Sequence, residues 1–259
     1  MIILPSEPKI VSEENNKAVF EISPLHPGYG LTLGNSLRRA LLSSMEGAAA
    51  VRVKIDGVPH EFTTVEGVLE DVVDIILNLK RVRFKVLGSE SVKVSLNAKG
   101  EGEVRAKDLK VPTGAEVVNP DQLIATLSDK KAQLNMEIDI EKGVGYVPVE
   151  QSQKEKLAVG EIAIDAIFTP VKKVSYKVEN IRVGQRTDFN RLLLDIETDG
   201  SITSKEALKK ATEILVDQFK AISEAESLKE AGKKVKEKAG EGEKEVKRKR
   251  GRPKKSAQV

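Results

Sequence analysis

Polar and apolar residues alternate strictly along several short stretches of the chain. In residues 50–55, Val51, Val53 and Ile55 fall on one face of an extended strand, with Arg52 and Lys54 on the other. In 81–86 the apolar set is Val82, Phe84 and Val86. In 134–140 it is Leu134, Met136, Ile138 and Ile140, against Asn135, Glu137 and Asp139. Period-two patterning of this kind predicts half-buried strands, as in antiparallel sheets with one wet face. Residues 94–97, 163–168, 174–178 and 192–197 add further strand candidates.

Elsewhere the period changes to that of a helix. Leu33, Leu37, Leu41 and Met45 recur every four residues and predict a helix over 35–45. Val65, Val68, Leu69, Val72, Val73 and Ile76 follow the i, i+3, i+4, i+7 pattern of an amphipathic helix over 64–80. Thr63 and Glu66 form a candidate capping box for it, with Lys80 favourably placed at its far end. A third helix is predicted over about 204–223. Thr203 and Glu206 cap it, and Leu208, Ala211, Leu215, Phe219 and Ile222 line one side. Strands mixed unevenly with a few helices indicate an α+β fold. Residues 110–122 and 148–160 read as surface connections.

Charge is distributed unevenly. Of the 43 Lys/Arg and 40 Asp/Glu, residues 230–259 hold 12 and 5, a net +7. The remainder holds 31 and 35, a net −4. The basic character therefore belongs to the last thirty residues. With almost no large apolar side chain, these are expected to form a disordered basic tail. The chain contains no cysteine and two histidines, His26 and His60. That argues against thiolate metal sites and fits a reducing, cytoplasmic setting. No apolar run approaches the roughly 20 residues of a membrane helix.

The stretch "HPGYGLTLGNSLRRALLSSM" (26–45) raises the question of a phosphate loop, because Gly28, Gly30 and Gly34 precede a helix. A dinucleotide fingerprint needs its third glycine one residue earlier, and a P-loop needs a lysine where Asn35 stands. Both spacings fail, so the glycines are expected to shape a turn, with Asn35 or Ser36 capping the helix. Arg38, Arg39 and Leu42 lie on the side opposite Leu37 and Leu41. Guanidinium beside an exposed leucine suits a protein interface, and it also suits a solvated face. Carboxylate pairs such as Asp71/Asp74 and Glu137/Asp139 fall on wet faces, and two histidines make no catalytic triad. No catalytic residue, metal or cofactor is expected. In the tail, "KRKRGRPKK" (247–255) is similar to an AT-hook, in which Arg248, Arg250, Gly251, Arg252, Pro253 and Lys254 would enter an A·T-rich minor groove. The alternative is a generic basic tail that touches nucleic acid loosely.

Residues 24–80, from "PLHPGYGLTLGNSLRRALLSSM" to "DVVDIILNLK", resemble the N-terminal region of the bacterial RNA polymerase alpha subunit. So do "GYVPVEQ" (145–151) and "VSYKVENIRVGQRTDFNRLLLDIETDGSI" (174–202). The resemblance runs from about residue 15 to 223. It implies a dimerisation subdomain built from 1–46 and 173–229, with a second subdomain, 47–172, inserted into it. It also implies a non-catalytic role: the homodimer nucleates assembly of the beta and beta-prime subunits of a nucleotidyltransferase. By position, Arg39 and Leu42, beside Arg38, fall on the family's main contact with beta, and Lys80 on a further one. Twofold symmetry uses one surface twice. The natural dimer surfaces are the Leu33/Leu37/Leu41 side and the stripe Leu208, Ala211, Leu215, Phe219 and Ile222. His26-Pro27, Ser36 and Val144 depart from commoner family residues. The family usually continues into a small helical domain that binds promoter DNA. Here about thirty residues, 17 of them charged, stand in its place, too few to fold unaided. Either that shortening is natural or the sequence is truncated.

Overall fold

The computed structural model describes residues 2–88, 91–152, 158 and 160–224. The tail 230–259, with its AT-hook-like segment, lies outside the described residues. In chain order the elements are β1 (Lys9–Glu14), β2 (Lys17–Leu25), α1 (Tyr29–Ser43), β3 (Glu46–Ile55), α2 (Val72–Leu79), β4 (Phe84–Val86), β5 (Ser91–Lys99) and β6 (Gly102–Arg105). There follow β7 (Ala115–Val117), β8 (Leu123–Leu127), β9 (Gln133–Val144), β10 (Tyr146–Val147), α3 (Val149–Ser152), β11 (Glu161–Ala163), β12 (Ala166–Ile167), β13 (Val171–Val183), β14 (Arg186–Thr198) and α4 (Ser204–Ser223). Helices beside predominantly antiparallel sheets make the fold α+β, as the patterning indicated. By internal contacts the chain divides into Met1–Thr212 and Glu213–Val259.

Within the first unit, one sheet runs β1-β2-β14-β13. Ala18, Phe20 and Ile22 of β2 stand opposite Ile196, Leu194 and Leu192 of β14, and all six are buried. The opposite face is charged. There Lys17 pairs with Asp195 at 3.3 Å, and Arg191 bridges Glu179 and Glu21. This is the half-wet sheet that the alternation of 192–197 requires.

A larger sheet is ordered β5-β9-β3-β4-β7, with β11 added alongside β3. Leu134, Met136, Ile138 and Ile140 of β9 are at most 2% exposed. Their neighbours across the ladder are Val94 and Leu96 of β5 and Val53 and Ile55 of β3. Arg83, just ahead of β4, lies with its Nε 3.8 Å from Asp199 at the end of β14, and so ties residues flanking the two sheets.

Two expectations about faces and lengths need correction. Val51 does not share a face with Val53 and Ile55. The β3–β9 register slips between Ala50 and Arg52, so Val51 is an extra, bulged residue. Val51 packs instead with Ala49, Ala166 and Phe168, while Val53 and Ile55 join the main core. Arg52 is thereby aimed at the outer face, where it meets Asp139 and Glu141. The helix expected over 64–80 begins only at Val72. Gly67 adopts a left-handed φ of 73°, and Ser128 N–H donates to its carbonyl at 2.8 Å. Both break a helical path. The true N-cap is Asp71, whose Oδ1 accepts the Asp74 N–H at 2.7 Å. Thr63 instead donates its hydroxyl to the His60 carbonyl. The third helix has the expected cap: Thr203 N–H donates to Glu206 Oε2, and Glu206 N–H to Thr203 Oγ1. The strand expected over 163–168 is interrupted at Ile164–Asp165, leaving β11 and β12.

Candidate functional site

Helix α1 starts six residues earlier than its apolar period suggests, and two of the three glycines lie inside it. Gly28 is its N-cap, with a left-handed φ of 86° and no side chain to accept from the first turn. Asn35 and Ser36 are mid-helix and cap nothing. The reason for glycine is close approach to the sheet beneath. A Cβ on Gly30 would come within 2.7 Å of Val178 Cγ1, and one on Gly34 within 2.7 Å of the Tyr176 ring and 2.9 Å of Leu192. Real Cβ contacts are never so short, so only glycine lets α1 lie this low on β13 and β14.

The cap missing from the helix arrives from far along the chain. Asn190 of β14 is 7% exposed. Its Oδ1 accepts the Gly28 N–H at 2.9 Å and the Gly30 N–H at 3.3 Å. Its Nδ2 donates to Asn180 Oδ1 on β13 at 3.1 Å. These amides therefore do not form an open phosphate cradle, because a buried carboxamide already occupies them. Around this contact, His26 packs edge-on against Tyr29 and Phe189, and the Arg186 guanidinium lies 5.3 Å above the Phe189 ring while pairing with Asp188. Hydrogen bonding from Arg186 holds the Asp188 carboxyl below the usual carboxylate range. The two sequence blocks that carried the resemblance thus meet in space: residues 186–190 seat the N-terminus of the helix that bears Arg38 and Arg39.

With α1 so fixed, one face is committed to the protomer. Leu37 is 7% exposed and Leu41 is fully buried, along with Met45 beyond the helix end, while Leu33 is half-buried. The other face presents Leu31, Asn35, Arg38, Arg39 and Leu42 to solvent. Leu31 is 62% exposed and Leu42 37%. Among the described residues, neither arginine side chain has an ion-pair or hydrogen-bond partner. Two unneutralised guanidinium groups beside exposed leucine can desolvate against a partner and form bidentate bonds to its carboxylates or carbonyls.

Lys80 is placed differently. It ends α2, and its Nζ lies 3.1 Å from Asp165 Oδ2, in the break between β11 and β12. Asp165 Oδ1 accepts the Val149 N–H at 3.0 Å. That backbone bond first, and Lys80 second, hold the Asp165 carboxyl below its ordinary range. Sequence reading missed Asp165 and Asn190. The first belongs to a stretch that alternates like a strand, and the second caps a helix 162 residues away, so no local pattern marks either.

In α4, Leu208 and Ala211 are buried, Leu215 is half-buried, and Phe219 and Ile222 are 63% and 61% exposed. The apolar stripe thus runs the length of the helix, from buried Leu208 and Ala211 to exposed Phe219 and Ile222. Among the described residues, no cluster of three or more His, Asp or Glu could hold a metal ion, and no helix is long and apolar enough to cross a membrane. The predicted DNA contacts Arg248, Arg250, Gly251, Arg252, Pro253 and Lys254 lie outside the described residues.

Residues 53–169 match the family model for the RNA polymerase Rpb3/RpoA insert domain. The chain is 50% identical over 220 residues to the DNA-directed RNA polymerase subunit alpha of Roseiflexus castenholzii, covering 85% of this chain and 68% of that protein. It is 48% identical over 214 residues to the same subunit of Herpetosiphon aurantiacus, covering 83% and 64%. With that of Alkaliphilus oremlandii it shares 51% over 205 residues, covering 79% and 64%. The α+β body, the insert-domain match and half-identity along most of its length place this chain in the family of bacterial DNA-directed RNA polymerase alpha subunits.

Proposed function

We propose that this chain, a subunit of DNA-directed RNA polymerase, is a non-catalytic scaffold that dimerises and holds the beta and beta-prime subunits. The observation that carries the reading is the exposed face of α1, with Arg38, Arg39 and Leu42 unpartnered on a helix pinned to its sheet. Such a face suits an anchor in a subunit interface, where buried Arg beside apolar surface contributes most of the binding energy. Lys80, oriented by Asp165, serves as an additional contact. Twofold pairing duplicates the α1 face, so two different large subunits can sit side by side. In this reading, dimerisation uses 1–46 and 173–229, with Leu215, Phe219, Ile222 and the edge of Leu33 as contact surface. Leu37, Leu41, Leu208 and Ala211 support it from within the protomer, and residues 47–172 form the inserted subdomain. The basic tail contacts the DNA minor groove, and the dimer works in the cytoplasm without a cofactor of its own.

The test is co-expression with the beta subunit. Arg39→Ala is expected to reduce recovery of the complex by about tenfold or more, in the range of an interface hot spot, while leaving the dimer intact. Recovery equal to wild type would refute the contact.

A further inference from the structure

A second charged surface opens at the start of β3, beside β4, β9 and α4. Lys85 on β4, Lys142 on β9 and Lys210 on α4 line one cleft of about 190 Å³. Three elements that are distant in sequence thus bring three ammonium groups to the same opening. The cleft also carries one carboxylate, Glu46, and an apolar side that includes Leu87 and the half-buried Ile202, with Phe84 buried behind it. Leu87 is 65% exposed. Among the described residues, none of the three lysines has an ion-pair or hydrogen-bond partner for its ammonium group. The nearby Glu206 is already engaged by the Thr203 N–H. Its carboxyl is held below the usual range first by those bonds to Thr203 and then, more weakly, by Lys85 and Lys210. The concentration of positive charge is also out of keeping with its surroundings, since residues outside the tail are net negative.

We propose that this cleft docks an acidic segment of another polymerase subunit, with Asp or Glu side chains meeting Lys85, Lys142 and Lys210 and a neighbouring apolar side chain resting on Leu87 and the half-buried Ile202. Charge complementarity selects the occupant. A phosphate backbone would use the lysines but leave the apolar wall idle. A protein segment with carboxylates flanking an apolar residue uses both. The volume admits one or two side chains rather than a duplex. The inference rests on membership of a multisubunit polymerase and not on the role of Arg39, so either can fail without the other.

A photo-crosslinking amino acid at Leu87, in the full chain within assembled core polymerase bound to template DNA, tests it. The expected product joins this chain to an Asp/Glu-containing peptide of another polymerase subunit. The combined Lys85→Glu, Lys142→Glu and Lys210→Glu variant should lower the yield by about tenfold, consistent with like-charge repulsion at three positions, with gel-filtration mass and circular dichroism unchanged. The matching Lys→Arg variant should retain the yield. Should the triple reversal fail to fold, Lys85→Gln alone, on an exposed strand position, should still lower the yield about threefold. Absence of a protein cross-link, a cross-link to nucleic acid, or a yield unaffected by removing the lysine charge would overturn the proposal.

Discussion

Asn190 gives α1 the cap that Gly28 cannot. A helix N-terminus leaves amides without intrahelical partners, and burying them unpaired is costly. Replacing Asn190 by Ala strands the Gly28 and Gly30 N–H groups and the Asn180 carboxamide at once. We expect Asn190→Ala to lower unfolding stability by about 1–3 kcal/mol in urea titrations. Asn190→Asp should recover much of that, because it keeps the accepting oxygen and places negative charge at a helix N-terminus. Equal losses in both variants would show that the carboxamide fills space rather than capping. Asp165 makes a second residue-scale case. Its folded carboxyl is held below its ordinary range by Val149 N–H and Lys80. A depressed folded pKa contributes stability that is present above the unfolded value and lost as pH falls through the folded one. Asp165→Asn should therefore flatten the acid limb of the stability–pH curve. The change should stay under about 1 kcal/mol, because the pair is a quarter to a third exposed and partly screened.

At the scale of elements, the segment 64–71 shows where apolar spacing misleads. Val65, Val68, Val72, Val73 and Ile76 do meet a helical template, and Val65 and Val68 do reach the core, but as an irregular strap. What breaks the helix is long-range: Ala132 packs against Gly67, and Ser128 claims its carbonyl. The two readings differ in the sign of one mutation. In a helix, Gly→Ala stabilises by about 1 kcal/mol. Here an added Cβ would lie 2.7 Å from Ala132 Cβ at a φ of 73°, so Gly67→Ala should destabilise by about 1–3 kcal/mol in thermal or urea unfolding. The bulge at Val51 is the same lesson in a strand. Alternation in 134–140 was legible because β9 is regular through that stretch. In 50–55 the strand carries one extra residue, and no side-chain pattern records a slip in pairing. The cap at Thr203–Glu206 was legible because both partners lie within one turn. The cap from Asn190, and the glycines it serves, depended on a sheet that assembles from the far end of the chain.

For the whole molecule, the apolar stripe of α4 is the feature that a single protomer leaves unfinished. Phe219 and Ile222 are large and mostly exposed, in line with the stripe that buries Leu208 and Ala211. If this stripe is the dimer seam, the protein at micromolar concentration should elute at twice the chain mass. Phe219→Glu with Ile222→Glu should shift it to a single chain, because two charges per protomer would be buried in an apolar contact. An unchanged elution volume for that variant would place the seam elsewhere. The long reach of Asn190 has one more consequence, this time for synthesis. The helix carrying Arg38 and Arg39 leaves the ribosome early, whereas the residue that completes its first turn is made some 160 residues later. A nascent or prematurely ended chain therefore carries α1 without its clasp, and only a chain translated through β14 supplies the cap at its first turn. If the proposed docking through the Arg38/Arg39 face holds, subunit binding would then report that the protomer has been made whole.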